Sequence, residues 1–345
     1  MPRLRIAVVL LASVMTRAQT PGADLQGAQL AAAAEHLQQG KAEQTIRECK
    51  GVLATDPRSA PAHMLLGLAY LARGSNAMIA DAKAELQQAL DSDPELLSAR
   101  FYLARLYLDQ GLSEKAQQQL ERGLKQSPGL PAFLSLLGEA RRELGDPGAS
   151  LELNHKALEA DATMIPAHYY LALAHRDLNQ EQAAMAEFEI VIHSPYATPE
   201  MYNALASLYI KKQRFAEAED LCRKAIALDP SRPDTYLNLA RVYNAQHASD
   251  KALEALRAAL PEGKEFPATE NYRELQADLA VERGVAYTAK KLYARAIDEY
   301  ARALDFDPRR AAIHRRLAQL YSQNGDPARA AVHTKEADKL EKGQR

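Results

Sequence analysis

The 345-residue sequence predicts an all-α protein built as a stack of helical hairpins. A motif of about 34 residues recurs along the chain, and recurrence at a fixed period is the signature of a repeat architecture. Every copy of the motif carries a small residue in the same slot. The composition agrees, because the chain is rich in Ala, contains no Trp and has few runs of the Val, Ile or Thr residues that favour strands.

The repeat frame predicts where each hairpin begins. When positions are numbered so that a recurrent Pro falls at position 32, Leu occupies position 7 in seven of nine units, Tyr occupies position 11 in six, and Pro occupies position 32 in five. The nine units then begin near Gln26, Ala60, Leu97, Pro131, Ile165, Pro199, Pro233, Ala277 and Ala311.

Position 8 is the most regular slot of the frame. A small residue lets two helix backbones approach closely, whereas a larger side chain would hold them apart. We therefore expect the two helices of each hairpin to pack closely at this position. Its occupants are Ala33, Gly67, Ala104, Gly138, Ala172, Ala206, Ala240, Gly284 and Ala318.

Local patterns predict both the helices and the turns between them. Apolar residues at i, i+3, i+4 and i+7, as in the stretch from Tyr202 to Tyr209, form one face of a helix. The turns Gly145–Pro147 and Gly325–Pro327 share the order Gly-Asp-Pro. Gly can end one helix in the left-handed conformation, Asp can cap the next helix, and Pro suits its first position.

The combination of Leu at position 7, a small residue at position 8, Tyr at position 11 and Pro at position 32 resembles the tetratricopeptide repeat family. The resemblance extends from Gln26 to the C-terminus and is best in repeats 3 and 6, Leu97–Leu130 and Pro199–Arg232. It implies a right-handed superhelical α-solenoid of about nine helix-turn-helix units. Repeats 1 and 9 match least well, as is expected of end caps that face water on one side.

The frame divides the chain into successive segments. Repeats 1–7 occupy residues 26–266, and repeats 8 and 9 with a basic C-terminal cap occupy residues 277–345. An insertion at 267–276 is expected to extend the first helix of repeat 8. A capping box at Asn271 predicts that this helix runs from about Asn271 to Lys290.

The N-terminus has the three-part layout of a secretory signal peptide. The first residues are basic, Ile6–Met15 is mainly apolar, and Thr16 and Ala18 place small residues at the −3 and −1 positions of a cleavage site. The apolar stretch is shorter than the roughly 20 residues that span a bilayer. The sequence therefore predicts a signal peptide at 1–18, a short linker at 19–25, and an exported protein, periplasmic or extracellular, with no transmembrane segment after cleavage.

The net charge of −2 gives no indication of nucleic-acid binding. Its distribution is uneven, because residues 1–18 carry +3 and the stretch from Arg309 onward carries nine Lys or Arg against four Asp or Glu. A solvated capping helix accounts for this basic end more simply than a nucleic-acid site does. Cys49 and Cys222 both fall at position 24, five repeats apart, and are interpreted as buried free thiols too distant for a disulfide.

The sequence contains no recognised catalytic or ligand-binding motif in the structural context that such a motif requires. The sequence contains no P-loop, no H-E-x-x-H, no C-x-x-C, no G-x-S-x-G and no EF-hand loop. His168 and His175 are two helical turns apart, too far for one metal, and a packing role is favoured for both and for His36 and His63. The sequence therefore predicts no catalytic, cofactor-binding or metal-binding residue and no enzymatic activity.

The resemblance implies a concave surface lined by the first helix of each repeat, at positions 2, 5, 9, 12 and 13. A lining of mixed charge with two aromatic residues suits an extended peptide or a partner helix. Arg142 within it is expected to be exposed. The predicted partner-binding residues are Phe101, Arg105, Arg142, Tyr169, Arg176, Asn203, Asn238, Arg241 and Asn244.

One branch of the family grips the C-terminal carboxylates of heat-shock chaperones with cations and amides. The best-matching run here places Asp278 and Glu282 where that clamp needs cations, and two carboxylates would repel the tail. The leading hypothesis is thus a non-enzymatic, exported scaffold that binds a protein or peptide. The alternatives are an accessory subunit of an envelope enzyme or polymer-assembly complex, and a cytoplasmic adaptor.

Overall fold

A computed structural model describes residues 25–74, 76–260 and 270–343. The predicted signal peptide at 1–18 lies outside these residues, as do nearly all of the linker at 19–25 and residues 267–269 of the insertion at 267–276. Within the described residues, all regular secondary structure is helical, in eighteen α-helices. The chain divides into two units, Met1–Tyr196 and Ala197–Arg345.

The first unit contains five helical hairpins in its described part, one for each of repeats 1–5. Its helices are α1 (Leu25–Gln38), α2 (Ala42–Thr55), α3 (Ala60–Arg73), α4 (Asn76–Ser92), α5 (Leu97–Asp109), α6 (Ser113–Gln126), α7 (Pro131–Glu143), α8 (Pro147–Ala160), α9 (Ile165–Asp177) and α10 (Glu181–Ile192).

The second unit contains four hairpins in its described part, for repeats 6–9. Its helices are α11 (Pro199–Lys211), α12 (Phe215–Leu228), α13 (Pro233–Ala245), α14 (Ser249–Ala259), α15 (Glu270–Ala289), α16 (Tyr293–Phe306), α17 (Ala311–Gln323) and α18 (Pro327–Gly343). The longest of these helices is α15, with 20 residues. The sequence predicts that this helix runs from about Asn271 to Lys290, and in the structure it runs from Glu270 to Ala289.

Each unit is held together by the same two kinds of helix contact. The two helices of a hairpin pack against each other, and each second helix packs against the first helix of the next repeat. First helices also contact the first helices of neighbouring repeats, as α13 does with α11 and α15. The core between them is made mainly of Leu and Ala side chains that are almost fully buried.

The small residue at position 8 lies where the two helices of a hairpin meet. A Cβ atom built on Gly67 would lie 3.0 Å from the carbonyl oxygen of Ala82, and one on Gly284 would lie 2.7 Å from the ring of Tyr300. Both neighbours belong to the second helix of the same hairpin. The structure thus supplies the physical reason for the small residue that the frame predicts here.

The turn inside every hairpin requires a left-handed residue at position 15. Gly145 and Gly325 have φ angles of 86° and 78°, as the Gly-Asp-Pro pattern predicts, and the Asp146 carboxylate accepts a hydrogen bond from the backbone N–H of Ala149. Five repeats use Gly in this slot. The other four have non-glycine residues with φ near 58°, namely Asn179, Gln213, His247 and Lys291.

Both cysteines lie in the core, at the position that the frame predicts. Cys49 and Cys222 are fully buried and free, and burial raises the pKa of each thiol to about 12. Among the described helices, none combines the length and the apolar composition that crossing a bilayer requires.

Candidate functional site

The predicted partner-binding residues lie on one face of the first helices of the repeats, the face that carries positions 2, 5, 9, 12 and 13. We call it the A-face. Five of the nine predicted residues belong to the first unit, on α5, α7 and α9, and four belong to the second unit, on α11 and α13.

In the first unit, Arg105 is occupied by contacts within the protein. Its guanidinium donates to the Tyr170 hydroxyl at 2.8 Å, a contact that joins repeat 3 to repeat 5, and lies 3.5 Å from Asp109. Burial alone would lower the pKa of Arg105, but the neighbouring Tyr170, Asp109 and Glu139 raise it. Arg105 therefore fixes one repeat against another.

Arg142 is the second arginine of this face, and the expectation that it is exposed is wrong. Only 14% of its side chain is accessible. Its Nε and Nη2 donate to the two oxygens of Glu139 at 2.7 and 3.0 Å, and its Nη1 donates to Asp177 at 2.6 Å. Glu139 is only 5% exposed, so Arg142 neutralises a buried carboxylate and links α7 to α9.

The aromatic residues of this face pack into the unit. The Phe101 ring lies 5.6 Å from the rings of both Tyr102 and Phe133. The Tyr169 ring lies 6.0 Å from that of Phe188. Both Phe101 and Tyr169 are half-buried, and Arg176 is the more accessible arginine here, at 38% of its side chain. The first-unit A-face is thus largely occupied by its own side chains.

In the second unit, amide side chains begin a network that runs from repeat to repeat. Asn203 on α11 donates through Nδ2 to Asp234 on α13 at 3.1 Å. Asn238, also on α13, donates to Asn203 Oδ1 at 2.7 Å. Arg232 joins Asp234 at 2.6 Å and also reaches Glu200. These contacts tie α11 and α13 together along the A-face.

The network continues from α13 to α15 through Arg241. Its Nη2 donates to Asp278 at 2.7 Å, its Nε lies 3.4 Å from Glu282, and its Nη1 lies 3.3 Å from Asn238 Oδ1. Asn244 donates to Glu282 Oε2 at 2.8 Å. Burial raises the pKa of Glu282, although these donors act in the opposite direction.

This set of linked side chains, which we call the second-unit network, is acidic overall. Arg310, at the start of α17, pairs with both Asp278 and Asp307 and extends the network to repeat 9. Three arginines face five carboxylates, so the net charge is −2. The network also stays accessible, since 34% of the Arg241 side chain and 37% of the Asp234 side chain are exposed.

Several hairpins contain a polar contact between positions 4 and 23 that was not predicted from the sequence. His63 meets Glu85 and His168 meets Glu187, each at 2.6 Å. His63 also lies 3.1 Å from the carbonyl oxygen of Pro57, which ends the preceding repeat. These histidines are therefore hydrogen-bonded rather than merely packed. The available signal was the joint presence of polar residues at positions 4 and 23 of one repeat.

A second missed contact joins the Tyr at position 11 to a cation at position 19. The cation lies 5.0 to 5.9 Å from the ring centre, within the range of a cation–π interaction. The pairs are Tyr107 with Lys115, Tyr243 with Lys251, Tyr287 with Arg295 and Tyr321 with Arg329. In the described residues, no group of three or more His, Cys, Asp or Glu side chains could hold a metal ion.

Comparison with known proteins identifies the repeats. A family model described as tetratricopeptide repeat matches residues 75–140, and a second matches residues 197–261. The predicted tetratricopeptide repeats are therefore confirmed, in a fold that is typically non-catalytic. The all-α fold, an α-solenoid of such units, is confirmed as well.

One curated relative is the cellulose synthase operon protein C of Pseudomonas fluorescens (strain SBW25). It is 28% identical over 267 residues, which cover 72% of this chain. The match covers 20% of the relative, so this chain spans about a fifth of that protein's length.

Solved structures with the same fold include other helical repeat proteins. The Cut9–Hcn1 hetero-tetramer of APC/C has a TM-score of 0.64 at 16% identity, covering 98% of this chain and 77% of that chain. A tetratricopeptide repeat protein from Parabacteroides merdae has a TM-score of 0.55 at 17% identity, covering 74% of this chain and 98% of that chain. At these identities the likeness concerns the fold alone.

Proposed function

We propose that this array of tetratricopeptide repeats is a non-enzymatic scaffold that holds a protein or peptide partner on the A-face of its second unit. The observation that carries the proposal is the second-unit network, in which Arg241 and Asp234 remain about one-third exposed. Fixed charges that stay accessible give specificity and orient a partner. Arg105 and Arg142 in the first unit are mostly covered and offer less to a ligand.

The net charge of the network indicates the character of the partner. Carboxylates outnumber guanidinium groups there, so a segment that carries Lys or Arg would be attracted and an acidic tail repelled. Asp278 and Glu282 already accept hydrogen bonds from Arg241, which holds them in place. We therefore expect the partner to present positive charge and its affinity to fall as salt rises.

Site-specific photo-crosslinking in cells tests the location of the site. A photoreactive amino acid at Ser207, on the A-face of α11, should capture the partner. The same residue at Lys224, exposed on α12 of the same hairpin, is the matched control. Capture from Lys224 but not from Ser207 would remove the A-face as the binding surface.

Charge substitution tests the mechanism once the partner is purified. The double change Asp234→Asn and Asp278→Asn keeps the shapes of the side chains and removes two carboxylates from the network. We expect binding to weaken about tenfold or more, the loss that interface anchors give on removal. The control, Glu217→Gln with Asp220→Asn, removes two exposed carboxylates of α12 and should leave affinity unchanged. Equal affinity of all three proteins would contradict an electrostatic A-face site.

A second candidate function is an accessory subunit of a polymer-assembly complex. The similarity to a cellulose synthase operon protein over most of this chain favours it. In that case the protein captured from Ser207 would be a polymer-synthesising or polymer-exporting enzyme, and deletion of the gene would lower the amount of polymer. Capture of partners unrelated to polymer assembly, with polymer unchanged, would favour the general scaffold.

Export is a further part of the proposal, supported by the basic, apolar and small-residue order of residues 1–18. Cleavage after Ala18 would leave Gln19 as the first residue of the mature protein. N-terminal sequencing of protein from the envelope fraction checks this. An intact Met1 on protein found only in the cytosol would support the cytoplasmic adaptor instead.

A further inference from the structure

The last hairpin, formed by α17 and α18, contains a direct contact between two imidazole rings. His314 on α17 and His333 on α18 approach with their Nδ1 atoms 2.9 Å apart. The ring of Tyr321 stacks on His333 at 5.5 Å between centroids, with 10° between the ring planes. His314 is 9% exposed and His333 is half-buried.

The same two positions hold a different pair in other repeats. His314 and His333 occupy positions 4 and 23, where repeat 2 has His63 with Glu85 and repeat 5 has His168 with Glu187. In those repeats, a proton taken up by the histidine faces a carboxylate. In repeat 9 the carboxylate is replaced by a second base, so the electrostatic consequence of protonation is reversed.

The hydrogen bonds around the pair limit how many protons it can hold. The Nε2 atom of His314 lies 3.2 Å from the Pro308 carbonyl oxygen, which can only accept, so Nε2 carries a proton and donates it. In the neutral ring, Nδ1 of His314 is then the acceptor for the Nδ1–H of His333. If both rings become charged, two N–H groups point at each other and two positive charges lie in contact.

Among the described residues, no carboxylate forms a hydrogen bond or an ion pair with either ring of this pair. Burial and the charge of His314 both lower the pKa of His333.

The charged groups on the surrounding helices are paired with one another. On α18 and α17, Arg329 is held by Asp326 and stacks on Tyr321, while Arg315 pairs with Asp338 and Glu341. At the end of α16 and the start of α17, Asp307 pairs with Arg310. Further back on α16, Glu299 pairs with Arg283, and the Tyr300 ring lies against Gly284.

We propose that the His314–His333 pair is a pH-sensitive latch that holds α17 and α18 together at neutral pH and releases this hairpin in mild acid. In the opened hairpin both rings take up protons freely near pH 6.5. The closed hairpin holds fewer protons, so its stability is complete above about pH 6.5 and is lost as pH falls below that value. Opening stays local, because each repeat of such an array packs mainly on its neighbours and, among the described residues, the neighbour of repeat 9 is repeat 8.

Hydrogen exchange of the full-length protein between pH 7.5 and pH 5 tests the latch. After correction for the intrinsic pH dependence of exchange, we expect the protection of α18 amides to fall about tenfold per pH unit below pH 6.5, the linkage slope for one extra proton. Helix α10, whose hairpin contains His168 and Glu187, is the internal comparison and should show no such loss. Constant protection of α18 across this range, or an equal loss in α10, would overturn the proposal.

The matched variant is His333→Glu, which gives repeat 9 the histidine–carboxylate pair of repeats 2 and 5. We expect this variant to keep the protection of α18 at pH 5.5, where the unmodified protein loses it. A loss as large as that of the unmodified protein would mean that the latch lies elsewhere. Should this variant fail to fold, the comparison of α18 with α10 in the unmodified protein still decides the question.

Discussion

At the scale of single residues, the structure explains why position 8 is small and why its neighbour differs between repeats. A Cβ atom on Gly138 would lie 2.3 Å from Nδ2 of Asn154 and 3.2 Å from the carbonyl oxygen of Ser150. Asn154 cannot easily move, because it accepts from Ser135 at 2.8 Å and donates to Ser150 at 2.9 Å. The repeat frame predicts the small residue at position 8. It does not predict the buried amide of Asn154 at position 24, which is apolar or Cys in most other repeats. Only the close contact with Gly138 accounts for this amide.

We expect Gly138→Leu to destabilise the protein by about 1–3 kcal/mol, as overpacking does. Gly51 is the matched control, since it is an exposed helical glycine on α2 and a Cβ atom built there meets nothing within 4 Å. Gly51→Leu should be neutral or stabilise by up to about 1 kcal/mol, because Gly is a poor helix former. Denaturant unfolding of the two variants measures the difference. Equal destabilisation by both would mean that position 8 does not control the packing.

The second residue-scale prediction concerns Arg142, where the structure reverses the expectation from the sequence. Arg142→Ala would leave Glu139 as a buried carboxylate without its two donated hydrogen bonds. We expect the free energy of unfolding to fall by roughly 3 kcal/mol, the lower end of the range for breaking a buried ion pair. Removal of an exposed arginine would lower it by only about 0.5 kcal/mol. Adding Glu139→Gln should recover most of the loss, because a neutral amide is less costly to bury. A loss below about 1 kcal/mol in urea unfolding would show that Glu139 is solvated.

At the scale of the element, the hairpin turn illustrates what a single sequence can and cannot predict. Where position 15 is Gly, the residue type itself indicates the left-handed turn, as at Gly111 and Gly145. Where it is Gln213 or Lys291, no local signal marks the turn, and only the repeat period places it. The backbone is nevertheless the same, because the second helix must reverse onto the first in every hairpin.

Exchanging residues at this slot tests the strain. A non-glycine residue in the left-handed region costs about 1–2 kcal/mol, and the extra freedom of Gly in the unfolded chain offsets about 0.5–1 kcal/mol of that. Gln213→Gly should therefore stabilise by about 0.5–1 kcal/mol, and the reverse change Gly111→Gln should destabilise by a similar amount. Thermal and denaturant unfolding give both values, and the same sign for the two changes would contradict this account.

At the scale of the whole molecule, the sequence predicts the fold far better than the site. Every hairpin repeats the same local pattern, so nine weak signals reinforce one another. The polar contacts of the A-face join different repeats, as Arg142 joins Asp177 and Arg241 joins Asp278. The two residues of each pair lie about one repeat period apart in the sequence. An opposite charge one period after each arginine could therefore have predicted these contacts. Whether a side chain is covered or open depends on how neighbouring first helices pack, which the period does not encode.

The repeat architecture also predicts how fragments of the protein behave. Each repeat is stabilised mainly by its neighbours, and at least three repeats are needed for a stable array. The fragment 197–345 contains four hairpins and should fold alone, with helical circular dichroism and one cooperative transition. The fragment 270–345 contains two hairpins, α15 to α18, and should be marginal or unfolded, although it includes a core cluster around Tyr300 and Leu317. If the shorter fragment were as stable as the longer one, each hairpin pair would be an independent folding unit. It would then be wrong that the stability of the array is the sum of contributions from single repeats and their neighbours. The expectation that the His314–His333 hairpin opens without the rest of its unit would be wrong as well.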